Sequence, residues 1–230
     1  MKIKVCGITS LDDAHLAIQE GAFALGFIFV SDSPRCIRVE EARKIIARLP
    51  LNIMKVGVFV NERTSVVNKI IQQTGITTIQ LHGDESPADI QDYTIPVWKA
   101  FRVSKGFDST RLSQFQVSAY LLDTYQEDRH GGTGETFNWK HAGAAKQYGP
   151  VVLSGGITPE NALKAIESVH PYALDVNSGV ESSPGKKDPE KLKRLFRAVK
   201  STITEGWAWD ADTDECRCDK KSDSPRERED

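Results

Sequence analysis

The sequence predicts a single-domain α/β protein, a closed (β/α)₈ barrel followed by a polar C-terminal tail. Three observations point that way. Eight short apolar segments alternate strictly with eight stretches of helical period. The apolar segments run on without in/out alternation, as parallel strands covered on both faces do. The chain has 230 residues, enough for about eight strand–helix units of roughly 25 residues each. Alternation alone would also allow a doubly wound open sheet; the count of eight and the length favour the barrel.

Strands are expected at 2–6, 23–29, 54–60, 77–81, 96–101, 119–123, 150–154 and 172–176. Helical patterns fall between them, near 10–20, 39–49, 64–74, 86–92, 108–116, 138–147, 158–168 and 188–202. Thr158-Pro159-Glu160 and Asp188-Pro189-Glu190 are start signals, each a capping residue before Pro in a first turn. Gly21 and Gly75 stand where helices should stop.

Hydrophobic residues make up 39% and charged residues 27%, enough for a substantial core under a solvated surface. Thirty Lys and Arg against 32 Asp and Glu give a net charge of −2, which leaves no broad basic face for nucleic acid or anionic lipid. The longest apolar run, Ala22 to Val30, has nine residues, far short of the ~20 of a membrane helix. Met1 to Cys6 has the character of neither a signal core nor a cleavage site. Four cysteines do not make a disulfide scaffold. The expectation is a cytoplasmic protein.

Charge is uneven along the chain. Residues 201–230 hold ten acids and five bases, whereas the first 200 hold 22 acids and 25 bases. After Trp209 no large apolar residue remains, so about 210–230 reads as a mobile acidic appendage. Trp207 and Trp209 are candidates to dock its start. The domain expected to act is therefore 1–203, with 204–230 as tail.

In a barrel the C-terminal ends of all strands surround one mouth, so residues just after each strand converge. The first strand ends in Cys6-Gly7, the second leads to Ser33-Pro34-Arg35, and the sixth ends in Asp123. The seventh enters Ser154-Gly155-Gly156 and the eighth Asp175-Val176-Asn177-Ser178-Gly179. Gly131-Gly132-Thr133-Gly134 lies in the loop after the sixth. Backbone N–H groups of such glycine loops cradle phosphate dianions. Gly155-Gly156 alone equally suits a tight turn; with the other glycine loops beside it, phosphate binding is the better reading.

Free Cys mostly fills space, but a strand-end position before Gly7 makes Cys6 a candidate for chemistry. Asp123 closes an apolar run, so it faces the mouth, pairs with a cation or caps a loop. A guanidinium at Arg35 suits a two-pronged carboxylate pair. Cys36 reads as packing. Among five histidines none has metal-ligand spacing, and only His82 follows a strand end with an apolar run. Cys216-Arg217-Cys218 is too short for a zinc-knuckle arm. No metal site is expected.

Taken together, Lys4-Val-Cys-Gly-Ile-Thr9, Ser33-Pro-Arg35, Gln80-Leu-His-Gly83, Leu122-Asp123, Gly131-Gly-Thr-Gly134 with Phe137-Asn-Trp139, Ser154-Gly-Gly156 and Asp175…Ser178-Gly-Val-Glu181 resemble the phosphoribosylanthranilate isomerases, in order and spacing, from residue 2 to about 200. The resemblance implies a cofactor-free Amadori rearrangement in tryptophan biosynthesis, converting N-(5-phosphoribosyl)anthranilate to 1-(2-carboxyphenylamino)-1-deoxyribulose 5-phosphate. It makes Asp123 the general acid at the ring oxygen, Cys6 the general base at C2, and Arg35 a contact of the anthranilate carboxylate. Gly132, Thr133, Gly134, Gly155, Gly156, Ser178 and Gly179 would hold the phosphate, and Gln80, His82, Asp175 and Asn177 would complete the substrate site. Asn177 stands where family members often have Ser. The tail after about 203 lies outside the pattern.

Indole-3-glycerol-phosphate synthase would need extra N-terminal helix and a catalytic strand-end Lys, whereas Lys4 and Lys99 lie within strands. A metal-dependent ribulose-phosphate epimerase would need paired His and Asp at strand ends. A non-catalytic phosphate-binding barrel remains open on sequence alone, as does a redox or metal role for the four cysteines. The expected partner is a small phosphorylated substrate, with the chain a monomer or a homodimer.

Overall fold

In the computed structural model, which describes residues 1–104, 106–123, 140–204, 207–210 and 215–218, eight parallel strands close into a barrel. They are β1 (Lys2–Val5), β2 (Ala24–Ile28), β3 (Met54–Phe59), β4 (Thr78–Leu81), β5 (Val97–Arg102), β6 (Ala119–Asp123), β7 (Val151–Ser154) and β8 (Ala173–Val176). Closure is made by β1 against β8, with Lys4 opposite Asp175 and Val5 opposite Val176. All eight expected strands are present.

Period two sorts the strand residues. Ile3, Val5, Leu25, Phe27, Phe59, Ile79, Leu122, Leu153 and Leu174 point outward into the large core shared with the helices. Ala24, Val56, Trp98, Ala100, Leu121, Val152 and Ala173 fill the barrel interior. Above them, toward the C-terminal ends, Cys6, Ile28 and Val58 form a small third cluster. Both faces of the sheet are apolar-lined, which is why the strands read as continuous runs.

The outer layer holds α1 (Leu11–Glu20), α2 (Val39–Ile46), α3 (Thr64–Thr74), α4 (Lys140–Ala145), α5 (Ala162–Val169) and α6 (Pro189–Thr204). Gly21 and Gly75 end α1 and α3 in the left-handed region, at φ 111° and 78°. Asp188 caps α6 by accepting from the Lys191 amide at 3.0 Å.

Two expected helices are corrected. The segments at 86–92 and 108–116 form only 3₁₀ turns, Ala88–Ile90 and Ser109–Gln114. Their short polar side chains satisfy the backbone locally. Asp89 accepts from the Ser86 amide and hydroxyl, and Asp108 accepts from the Thr110 amide and hydroxyl. Each turn buries one apolar anchor, Ile90 or Leu112. α5 also starts later than expected: Thr158-Pro159-Glu160 builds a preceding turn in which Asn161 Oδ1 accepts from the Thr158 amide.

Beyond the barrel, β9 (Glu181–Ser183) pairs antiparallel with β10 (Lys186–Lys187) directly after β8. In the tail, where the sequence reading gave no strands, β11 (Trp207–Asp210) pairs with β12 (Glu215–Cys218), Trp209 opposite Cys216. Among the described residues no helix is long and apolar enough to cross a membrane.

Candidate active site

The C-terminal ends of the strands open on a cavity of about 440 Å³. Its lining brings together residues separated by up to 173 positions: Cys6 from β1, Arg35 after β2, Gln80 and His82 from β4 and its end, and Asp123 from β6. Ser154, Gly155 and Gly156 follow from β7, and Asp175, Asn177, Ser178 and Gly179 from β8 and its loop. Of the residues expected in the site, Gly132, Thr133 and Gly134 lie outside the described residues. All the others line this one cavity.

Gly155 and Gly156 have φ of 93° and 64°, values that strain any residue with a Cβ. That geometry folds the chain back at the rim of the cavity. At Gly179 a Cβ would stand 2.0 Å from the Ile157 carbonyl oxygen, so the loops after β7 and β8 meet backbone to backbone.

One wall carries Asp123. Its Oδ2 lies 3.2 Å from His82 Nε2, and Gln80 Nε2 lies 2.8 Å from His82 Nδ1. With the Gln80 amide donating to Nδ1, His82 carries its proton on Nε2 and donates to Asp123. Gln80 Oε1 is buried and makes no hydrogen bond among the described residues. Asp123 and His82 are each about one-fifth exposed, 21% and 22%.

The opposite wall is buried and charged. Lys4 Nζ lies 2.7 Å from Asp175 Oδ1, with both side chains buried. Asp175 Oδ2 also receives the Ser154 hydroxyl at 3.3 Å. Glu181 binds Arg35 through Nε and Nη2, at 2.9 and 2.7 Å, and Lys187 at 2.8 Å. Lys187 donates as well to Asn177 Oδ1 at 3.2 Å.

These contacts refine one expectation and correct another. Arg35 meets Glu181 through its Nε–Nη2 edge, which leaves the Nη1–Nη2 end as the edge a substrate carboxylate would meet. Cys36, expected to pack, is exposed; its backbone bridges to Ile28 at the surface instead.

Burial sets the titration of this wall. Burial pushes the Cys6 thiol above its ordinary range, opposed chiefly by the Lys4 charge. Burial also pulls Lys187 below the usual lysine range, partly offset by Glu181. For Glu181, burial works toward protonation, but hydrogen bonds from Arg35 and Lys187 outweigh it and hold the carboxyl below 4.5. Among the described residues, no three His, Cys, Asp or Glu gather as a metal site.

Lys4, Glu181 and Lys187 are the residues that sequence reasoning passed over as site members. The signal for Lys4 was available: a lysine two positions before Cys6 on an apolar strand shares its face. Lys187 had none, since only the β9–β10 hairpin carries it back over the mouth.

The geometry defines a (β/α)₈ barrel with a carboxylic acid and a thiol on opposite walls of a glycine-looped mouth. The family model described as N-(5'-phosphoribosyl)anthranilate isomerase matches residues 3–198. The chain belongs to that family. An isomerase of that name from Citrifermentans bemidjiense is 50% identical over 199 residues, covering 86% of this chain and 97% of that one. The crystal structure of the Thermotoga maritima phosphoribosylanthranilate isomerase superposes with a TM-score of 0.80 at 39% identity, covering 87% of this chain and 99% of that one. A further isomerase structure, 37% identical with a TM-score of 0.78, covers the same 87% and 99% and is a complex with reduced 1-(o-carboxyphenylamino)-1-deoxyribulose 5-phosphate.

Proposed function

We propose that this isomerase of tryptophan biosynthesis converts N-(5-phosphoribosyl)anthranilate to 1-(2-carboxyphenylamino)-1-deoxyribulose 5-phosphate with Asp123 as acid and Cys6 as base. The observation that carries the assignment is the single cavity lined at once by Cys6, Asp123, Arg35 and the loops after β7 and β8.

Asp123 gives its proton to the ring oxygen as the C1–oxygen bond breaks, leaving an open-chain Schiff base. The cationic imine acidifies the C2 proton, which passes to Cys6. The resulting enolamine tautomerises to the aminoketone, and no atom is gained or lost. A proton donor and an acceptor on opposite walls suit this sequence, because the ring oxygen and the C2 hydrogen face different sides of the sugar. Each such group typically supplies ~10²–10⁴ in rate.

Arg35 would meet the anthranilate carboxylate through its Nη1–Nη2 end, and the loops holding Gly155, Gly156, Ser178 and Gly179 the phosphate, joined by Gly132, Thr133 and Gly134. His82 and Gln80 would orient Asp123. Asp175 and Asn177 would act from the cavity edge, their oxygens engaged by Lys4 and Lys187. The chain would work in the cytoplasm, as a monomer or a homodimer, on a small phosphorylated substrate and without a cofactor.

The test follows the fluorescence of N-(5-phosphoribosyl)anthranilate made in place from anthranilate and phosphoribosyl pyrophosphate. Rapid decay that depends on the protein and vanishes in Asp123→Asn supports both reaction and acid. No acceleration, from a folded protein that binds product, would mean a barrel that keeps the phosphate site without this chemistry.

A further inference from the structure

The acid–base reading leaves unexplained why a lysine sits inside the barrel beneath Cys6. Lys4 on β1 and Cys6 just past its end are two residues apart, so both side chains point inward, one layer above the other. Lys4 is wholly buried. Its ammonium is clamped at 2.7 Å by Asp175, its register partner across the β1–β8 seam, and it also reaches the Cys6 thiol. Burial pulls the lysine toward its neutral form, but Asp175 and Cys6 outweigh this and hold it above its ordinary value. The pairing with Asp175 thus favours the charged form of Lys4.

Space for the arrangement is made on the neighbouring strand. A Cβ at Gly26 would stand 2.7 Å from Cys6 Sγ and 3.1 Å from Lys4 Cε. Both contacts are closer than real Cβ atoms tolerate comfortably, so only glycine on β2 lets the lysine and the thiol share this corner.

Among the described residues the charged groups around Cys6 can be named. Lys4 and Asp175 lie on its own seam, with Lys187, Glu181 and Arg35 on the β9–β10 side. Asp123 and His82 face it across the cavity, while β2 and β3 contribute Gly26, Ile28 and Val58, which carry no charge. Among the described residues that wall sets Lys4, Lys187 and Arg35 beside Asp175 and Glu181, with the Asp13 carboxylate behind them on the Lys187 amide. The Lys4 side chain lies beside the place where a thiolate would form, and an isolated anion there would otherwise be costly.

We propose that Lys4 is a positioning residue for the reaction: its buried ammonium, clamped by Asp175 and given room by Gly26, stabilises the Cys6 thiolate and so sets how readily Cys6 accepts the C2 proton. This rests on reading Cys6 as the base. A purely structural ion pair would affect stability and leave the titration of Cys6 where it is.

The experiment titrates Cys6 in the full chain by thiolate ultraviolet absorbance, taken as the difference from Cys6→Ala. It is checked by peptide-resolved iodoacetamide labelling, which separates Cys6 from Cys36, Cys216 and Cys218. Lys4→Met should raise the Cys6 midpoint by about one pH unit, a tenfold loss of thiolate at neutral pH. It should lower kcat by about the same factor with KM nearly unchanged, the pattern of a group that acts only on the chemical step. Lys4→Met/Asp175→Asn removes both charges and strands neither, so it decides the matter if the single variant does not fold; its shift should be smaller but still upward. A midpoint that stays at the parental value in a folded variant overturns the role of Lys4. If Cys6→Ala keeps parental turnover while the midpoint moves in Lys4→Met, it is the base assignment that fails and the electrostatic one that stands.

Discussion

The wall of the mouth built by β1, β8 and the β9–β10 hairpin is buried and dense in charge, whereas the wall built by β4 and β6 is half-open. On the first, Lys4, Asp175, Glu181 and Lys187 are almost wholly inaccessible and locked pairwise. On the second, Asp123 and His82 keep about a fifth of their surface and share one hydrogen bond at 3.2 Å. The difference fits the roles proposed for the two walls, base at Cys6 and acid at Asp123. A thiol that must carry an anion needs fixed cations and little water, because charge–charge interaction grows as the dielectric falls. A carboxylic acid that must be recharged after each turnover needs contact with solvent.

The sharpest break of this comparison removes the two groups it contrasts. Asp123→Asn and Cys6→Ala should each lose ~10²–10⁴ in turnover while binding product comparably. Near-parental turnover in either variant, measured by the same fluorescence decay, would remove that wall from the chemistry.

Next in size is the stability stored in the charged wall. Glu181→Gln leaves Lys187 buried without its anion, a loss of about 3–5 kcal/mol by thermal or denaturant unfolding near neutral pH. The sign with pH follows from the carboxyl being held below 4.5. Its stabilisation is complete above that ordinary value and fades as pH falls through the lower, folded one. The gap between parent and variant should therefore close in acid; a gap independent of pH would mean that Glu181 acts by packing.

A smaller effect is expected on the open wall. His82→Asn removes a hydrogen bond to a group that changes charge, worth about 1.5–3 kcal/mol, or roughly ten- to a hundredfold in kcat. An unchanged kcat would leave Asp123 oriented by other contacts. Smallest of all, truncation after Thr204 should leave turnover unaltered, because the family match ends at residue 198. A loss of activity there would give the acidic tail and its cysteines a part in the site.

Much of this molecule is legible in one dimension. Outward residues such as Val5, Phe27 and Leu174 and inward ones such as Ala24, Val56 and Leu121 are apolar, so the strands announce themselves as short, mostly apolar runs. Cys6, Asp123, Gly155-Gly156 and Ser178-Gly179 stand out because each interrupts such a run at its C-terminal end. The turns at Ala88–Ile90 and Ser109–Gln114 misled for the opposite reason: their helical pattern is too short and too rich in Ser, Thr and Asp to outweigh local side-chain bonds.

Hydrophobic period and glycine placement are properties of neighbouring positions, so the eight strands, their parallel order and the residues at the mouth can be read along the chain. The tertiary structure alone decided which charges meet. That Glu181 takes the Nε–Nη2 edge of Arg35 across 146 positions, and that Lys4 finds Asp175 across 171, follows from barrel closure and hairpin return. Burial then fixes what those meetings are worth, because a lysine and a carboxylate that are commonplace in water become, inside a closed barrel, the field in which a thiol must titrate.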